Sequence, residues 1–128
     1  MTCSKTPTIA VVDDDEAVRG ALSNLLASLD LGVATFGSAE AFLASPACTA
    51  AACLITDVQM PGMSGLDLQR HLAGSGNRMP VILITAFPLD HVRRQAEAEG
   101  VVGFFTKPFD ARLMIDCIER ALVRKGDP

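Results

Sequence analysis

The chain has 128 residues, 49% of them apolar, with no Trp, no Tyr and a formal charge of −4. That length holds one ordinary core; no apolar run approaches the ~20 residues that span a bilayer, and the stretch before Asp13 is too poor in apolar residues for a signal peptide. An acidic balance without aromatic platforms, and with no basic run longer than Arg124-Lys125, argues against direct nucleic-acid binding by these residues. The expectation is a single domain over residues 1–128, with its core at about 8–123, cytoplasmic by default and without a membrane partner.

In chain order, Thr8–Val12 (TIAVV) is a strand-length apolar run, followed by Val18, Leu22, Leu25, Leu26 and Leu29 at helical spacing. Between them stands the triplet Asp13-Asp14-Asp15, in which Asp15 is placed to cap the first helix. A second strand is expected at 33–36 (VATF), then a helix capped by Ser38, then a third strand at 52–56 (ACLIT) closed by Asp57. The segment MPGMSG that follows carries the Pro and Gly that turns require. A fourth strand, Val81–Thr85, leads to a helix at about 90–99 in which Val92, Ala96 and Ala98 are the only apolar residues, so this helix should be the least firmly anchored. The fifth strand, Gly103–Thr106, ends at Lys107-Pro108. Asp110 then caps a last helix with Leu113, Cys117, Ala121 and Leu122 on one stripe, ending in Arg124, Lys125 and a C′ glycine, Gly126. His71 and His91 fall on polar helix faces, and Cys3, Cys48, Cys53 and Cys117 lack C-x-x-C spacing, so structural thiols are expected rather than ligands.

Five strands alternating with five helices imply a parallel sheet with right-handed crossovers. The expected fold is α/β, a doubly wound five-stranded sheet in the flavodoxin-like order 2-1-3-4-5 with helices on both faces.

In such a sheet, ligands bind beyond the carboxyl ends of the strands. Those ends are closed by Asp13 and Asp14, Asp57, Thr85 and Lys107. Neighbouring strands lie ~4.8 Å apart, which leaves room for one divalent ion between carboxylates on strands 1 and 3. Mg²⁺ is commonly held by one or two carboxylates together with phosphate oxygens. Two unpaired carboxylates ~5 Å apart repel by about 3 kcal/mol at an effective dielectric of 20, an upper figure. A carboxylate beside such an ion can act as a nucleophile toward phosphorus, with an ammonium offsetting charge on the phosphoryl oxygens. Taken singly, each residue has a plain structural role: a cap, a turn, a strand former.

Together, the Asp13-Asp14 pair, LITDVQMPGMSGLDL around Asp57, VILITA ending at Thr85-Ala86, and FFTKPF around Lys107 resemble the receiver domain of bacterial two-component response regulators. The resemblance runs from about residue 8 to 122 and implies that Asp57 is the phosphoacceptor, served by a sensor histidine kinase or phosphotransfer protein. It implies Mg²⁺ (or Mn²⁺) bound by Asp14, Asp57 and the Gln59 backbone carbonyl, with Asp13 acting through a water. Lys107, in a cis peptide with Pro108, Thr85 and Ala86 would bind the phosphoryl group. Thr85 and Phe104 would form a switch that reshapes the face of the fourth helix, fifth strand and fifth helix, through which the domain could dimerise. Phe104 is equally explained as a core ring. Gln59 and Phe87 would tune water access to the acyl phosphate.

Two further readings compete. A phosphatase of the haloacid-dehalogenase type also uses a strand-1 aspartate, here Asp13 with Asp15 as acid/base, but leaves Asp57 unexplained. A phosphate-independent binding module would leave all five site positions without a task. MPGMSGLDL and TKPF look most like regulators of the nitrogen-fixation type, with LuxR-like output, which favours transcriptional control over a stand-alone docking regulator. The expectation is that no output domain lies within these residues.

Overall fold

The computed structural model describes residues 7–126. Its elements are β1 (Thr8–Val12), α1 (Glu16–Ser28), β2 (Gly32–Phe36), α2 (Ala39–Leu43), α3 (Ala47–Ala50), β3 (Cys53–Asp57), α4 (Gly65–Gly74), β4 (Val81–Thr85), α5 (Asp90–Ala98), β5 (Gly103–Thr106) and α6 (Ala111–Gly126). All strand pairings are parallel, in the order β2-β1-β3-β4-β5. The expected sheet is therefore the observed one.

Successive strand residues face opposite sides of the sheet, and this divides the core in two. Ala10, Val12, Leu54, Val81 and Leu83 pack with Phe42 of α2, Leu68 and Leu72 of α4 and Ala96 of α5. Ile9, Val11, Ile55, Ile82 and Ile84 pack with Leu22 and Leu26 of α1 and with Met114, Cys117 and Ile118 of α6. Strands buried on both faces explain why the sequence reads as continuous apolar runs rather than alternating ones.

Three expectations change. Among the described residues there are six helices, not five, because Pro46 lacks an N–H and ends α2 before the single turn of α3 begins. On α6 the buried stripe is Met114, Cys117, Ile118 and Ala121, while Leu113 is 59% exposed. Leu113 stands one residue, about 100°, away from the position that meets the sheet. Gly126 is the last residue of α6 rather than a residue beyond it.

The helix starts follow the expected chemistry. Asp15 accepts from the Ala17 N–H at 2.9 Å, Ser38 from Ala41 at 3.1 Å, and Asp110 from Arg112 at 2.8 Å. On α4, Ser64 and Asp67 form a reciprocal capping box. Ser64→Ala removes one half of it and should cost about 1 kcal/mol of stability in a chemical-denaturation curve. As expected, α5 is thinly anchored: it buries Ala96, with Val92 partly packed.

Cys48, Cys53 and Cys117 are free, His71 and His91 are exposed, and Cys3 lies outside the described residues. Burial, reinforced by Cys117, pushes the Cys53 thiol up to about 12. An alkylating reagent at pH 8 should label Cys48, which is half-buried, and leave the Cys53 peptide unlabelled until denaturant is added. The stability from keeping Cys53 protonated is fully present below its ordinary value of 9.0 and is lost as pH rises toward 12. A Cys53→Ala chain should lack that part of the alkaline decline.

Candidate functional site

The carboxyl edge of the sheet gathers side chains from four strands. β1 hands over to Asp13, whose N–H still bonds the Phe36 carbonyl at 3.1 Å, so the chain remains sheet-like one residue past the strand. Asp13 is fully buried; its Oδ1 accepts from the Asp15 N–H at 2.8 Å. Asp57 is the last residue of β3 and is 5% exposed. Its Oδ1 accepts from the Gln59 N–H at 3.2 Å. Asp14 is exposed, and one carboxylate oxygen from each of Asp13, Asp14 and Asp57 lies within 4.8 Å of the others. The spacing expected from the strand order is met.

Lys107 follows β5 through a cis Lys107-Pro108 bond, and its N–H bonds the Thr85 carbonyl at 2.8 Å. Its ammonium reaches 2.9 Å from Asp13 Oδ2 and 3.2 Å from Asp57 Oδ2. The crowding of carboxylates is thus partly compensated by the chain's own cation, a contact the sequence did not reveal. Burial works against the ammonium, but Asp13 and Asp57 outweigh it and hold Lys107 above its ordinary pKa. Burial, then the charge of Asp13, push the Asp57 carboxyl up despite the Gln59 N–H and Lys107. Three acids and one ammonium leave this edge net negative.

Whether a divalent cation suits these residues can be judged from Asp13. Its Oδ2 is completely buried and makes no hydrogen bond; Lys107 lies close enough for ion pairing but off the direction a hydrogen bond requires. A buried charged oxygen with spare acceptor capacity, beside two more carboxylates, is a hard-oxygen donor set of the kind Mg²⁺ or Mn²⁺ takes. The residues fit the ion.

Thr85 ends β4, is 1% exposed, and spends its hydroxyl on the next turn: Oγ1 accepts from the Phe87 N–H at 3.0 Å and donates to the Phe87 carbonyl at 3.3 Å. Ala86 is exposed beside it. Phe87 is 66% exposed and Leu89 49%. Phe104 is half-buried, packs against the core beneath α5, and carries the Arg93 guanidinium 5.3 Å from its ring centroid. Gln59 is exposed on the loop after Asp57.

Sequence reasoning passed over two residues that shape this edge. Gly65 opens α4 directly against the backbone of Asp57: a Cβ there would overlap the Asp57 carbonyl oxygen and lie 3.1 Å from Val58 Cα. It read only as part of a turn. Glu40, on α2, accepts from the Met63 N–H at 3.1 Å and so ties down the loop after Asp57. A contact 23 residues apart leaves no local signature.

The profile of the family described as "Response regulator receiver domain" matches residues 9–119. The "Response regulator protein TmoT" of Ectopseudomonas mendocina is 46% identical over 114 residues, covering 89% of this chain and 52% of its own. The "Transcriptional regulatory protein FixJ" of Azorhizobium caulinodans is 38% identical over 119 residues, covering 93% of this chain and 56% of its own. The chain spans about half the length of the curated relatives it matches. Among solved structures, "FIXJ-N" superposes with a TM-score of 0.81 at 38% identity, covering 93% of this chain and 95% of that one. The response regulator StyR superposes with a TM-score of 0.86 at 37% identity, covering 96% of this chain and 62% of that one.

Proposed function

The chain belongs to the response regulator receiver domain family, and from that membership we propose that Asp57 accepts a phosphoryl group from a histidine of a sensor kinase or phosphotransfer protein. The observation that carries the reading is the cluster of Asp13, Asp14 and Asp57 around one ammonium, Lys107, on the carboxyl edge of the sheet. The competing phosphatase reading makes Asp13 the nucleophile, but Asp13 is fully buried with Oδ1 already engaged.

Asp14, Asp57 and the Gln59 carbonyl would hold Mg²⁺ or Mn²⁺, with Asp13 reaching it through a water. When bound, the ion neutralises charge on the oxygens of the incoming phosphoryl group. An Asp57 carboxylate oxygen attacks phosphorus as the phosphorus–nitrogen bond breaks, and the electron pair leaves with the donor imidazole, which takes a proton from solvent. Lys107 exchanges its contact with Asp57 for a phosphoryl oxygen while keeping Asp13. The Ala86 N–H offers a second donor. Water later hydrolyses the acyl phosphate, at a rate set in part by Gln59 and Phe87. This self-directed chemistry makes the chain a signalling domain rather than an enzyme acting on other substrates.

The signal passes through Thr85. Donating its hydroxyl to the phosphoryl group means giving up both bonds to Phe87, which frees the loop carrying Phe87 and Leu89 and leaves room for Phe104 to follow. The face made by α5, β5 and α6 then changes, and it is the surface for homodimer formation or output contact. Moving elements come from the weakly anchored end of a structure, and α5 has that character. We assign the chain to the cytoplasm as the receiver part of a transcriptional regulator, a single domain that contacts no nucleic acid itself. Among the described residues no helix is long and apolar enough to cross a membrane.

Amide chemical shifts provide the test. With Mg²⁺ and a small phosphodonor, the amides of Thr85, Phe87 and Phe104 should shift, and an Asp57→Asn chain should show no such change. Unmoved amides in the parent chain would sink the proposal in favour of a phosphate-independent binding module.

A further inference from the structure

Arg19 lies beside the acidic triplet, yet among the described residues it forms no ion pair. Its guanidinium donates instead to a neutral group, the backbone carbonyl of Asp13, at 2.6 Å. A half-buried cation next to three carboxylates would be drawn to one of them by charge alone. Its engagement with a carbonyl is therefore a directional choice. The head group sits over the ends of β1 and β2, where a Cβ on Gly37 would lie 3.6 Å from it.

With this bond, each polar group of Asp13 is fixed: the N–H by Phe36, the carbonyl by Arg19, Oδ1 by the Asp15 N–H, and Oδ2 by its ion-pair contact with Lys107. The Asp13 carbonyl belongs to the peptide plane that carries Asp14. Holding that plane fixes the Asp14 Cα and confines its Cα–Cβ bond to the directions reached by rotation about φ, since the peptide is rigid. Asp14 itself is exposed, and among the described residues no hydrogen bond or ion pair orients its side chain.

We propose that Arg19 is a positioning residue for the cation site, aiming the Asp14 carboxylate at Asp13 and Asp57 through the Asp13 carbonyl. The inference rests on the cation site proposed above. Residues that orient metal ligands typically change affinity by 10–100-fold when removed, and α1 acquires this task because Arg19 stands one turn into the helix, within reach of the end of β1.

Charge and position give opposite signs, which makes the test sharp. Removing a cation near three carboxylates should tighten Mg²⁺ binding if Arg19 acts only through its charge. Arg19→Met, which keeps the stem but loses charge and donors, should instead weaken Mg²⁺ binding by about tenfold in calorimetric titration, with a melting temperature close to that of the parent without ion. In an Asp14→Asn background the same substitution should no longer weaken binding, because the residue it aims has lost its charge. If Arg19→Met fails to fold, Arg19→Leu, which also lacks charge and donors, carries the same sign. Binding that is unchanged or tighter in the folded variant, or equal weakening in the Asp14→Asn background, overturns the inference. A parent chain that shows no saturable Mg²⁺ binding overturns the cation site and this inference with it, whereas parent binding without an Arg19 effect overturns this inference alone.

Discussion

Asp57→Asn is expected to abolish phosphoryl uptake and, without Mg²⁺, to raise the melting temperature by several degrees. The amide cannot form the acyl phosphate, so the first effect is complete. The second follows from the balance at the sheet edge. Asp57 is nearly buried and faces Asp13, the same two causes that push its pKa up, so its charged form is held at a cost in the folded chain. Lys107 recovers part of that cost at 3.2 Å, but keeps Asp13 at 2.9 Å when Asp57 is neutralised. With carboxylate repulsion of at most about 3 kcal/mol, a net gain of about 1 kcal/mol would lift the melting temperature by roughly 4 °C in a domain of this size. Stabilisation by added Mg²⁺ should shrink in the same variant. A chain that melts lower and still responds fully to Mg²⁺ would contradict the site.

Gly65→Ala should damage the site without touching a charged residue. The added methyl would overlap the Asp57 carbonyl oxygen and sit 2.9 Å from its carbon, and both are backbone atoms of a central strand. Neither can move without shifting Asp57 itself or breaking the bond from the Gly65 N–H to the Val58 carbonyl at 2.9 Å. Overpacking a rigid position costs about 1–3 kcal/mol, and more where nothing can yield. Denaturation curves should show a loss near the top of that range, and Mg²⁺ titration a weaker site, because the strain is relieved by moving Asp57. Gly74, where a Cβ would meet nothing within 4 Å, serves as the control: Gly74→Ala should leave both measurements near the parent values.

The fold was legible because its signals are local and periodic. Runs such as VILIT are long enough to be strands and short enough to exclude helices, and Ser38, Asp15 and Asp110 cap the helices they precede. The site was legible for a topological reason: parallel strands all end on one edge, so Asp13, Asp57, Thr85 and Lys107 had to gather there once the strand order was known. What the sequence hid was direction. Leu113 has the right character for the α6 stripe and the wrong angle, and a hydrophobicity pattern with several leucine-like candidates does not separate the two. The pairing of Lys107 with Asp13, the Glu40 tether and the Arg19 bond to a carbonyl join residues whose partners are set by side-chain rotamers and loop paths. None of these leaves a periodic trace.

The meaning of the triplet also divides along these lines. Asp15 is a helix cap, Asp13 is a buried charge held from four sides, and Asp14 is the exposed member whose carboxylate completes the cluster. Three identical letters thus occupy three different electrostatic environments.

The most direct measurement is to locate the phosphoryl group itself. The chain is incubated with Mg²⁺ and a small phosphodonor, digested under acid conditions that spare acyl phosphates, and the modified peptide identified. One alkali-labile phosphate on the peptide that contains Asp57 is the expected result. Label on the Asp13–Asp15 peptide with continuing donor hydrolysis, or no label on any peptide, would contradict it.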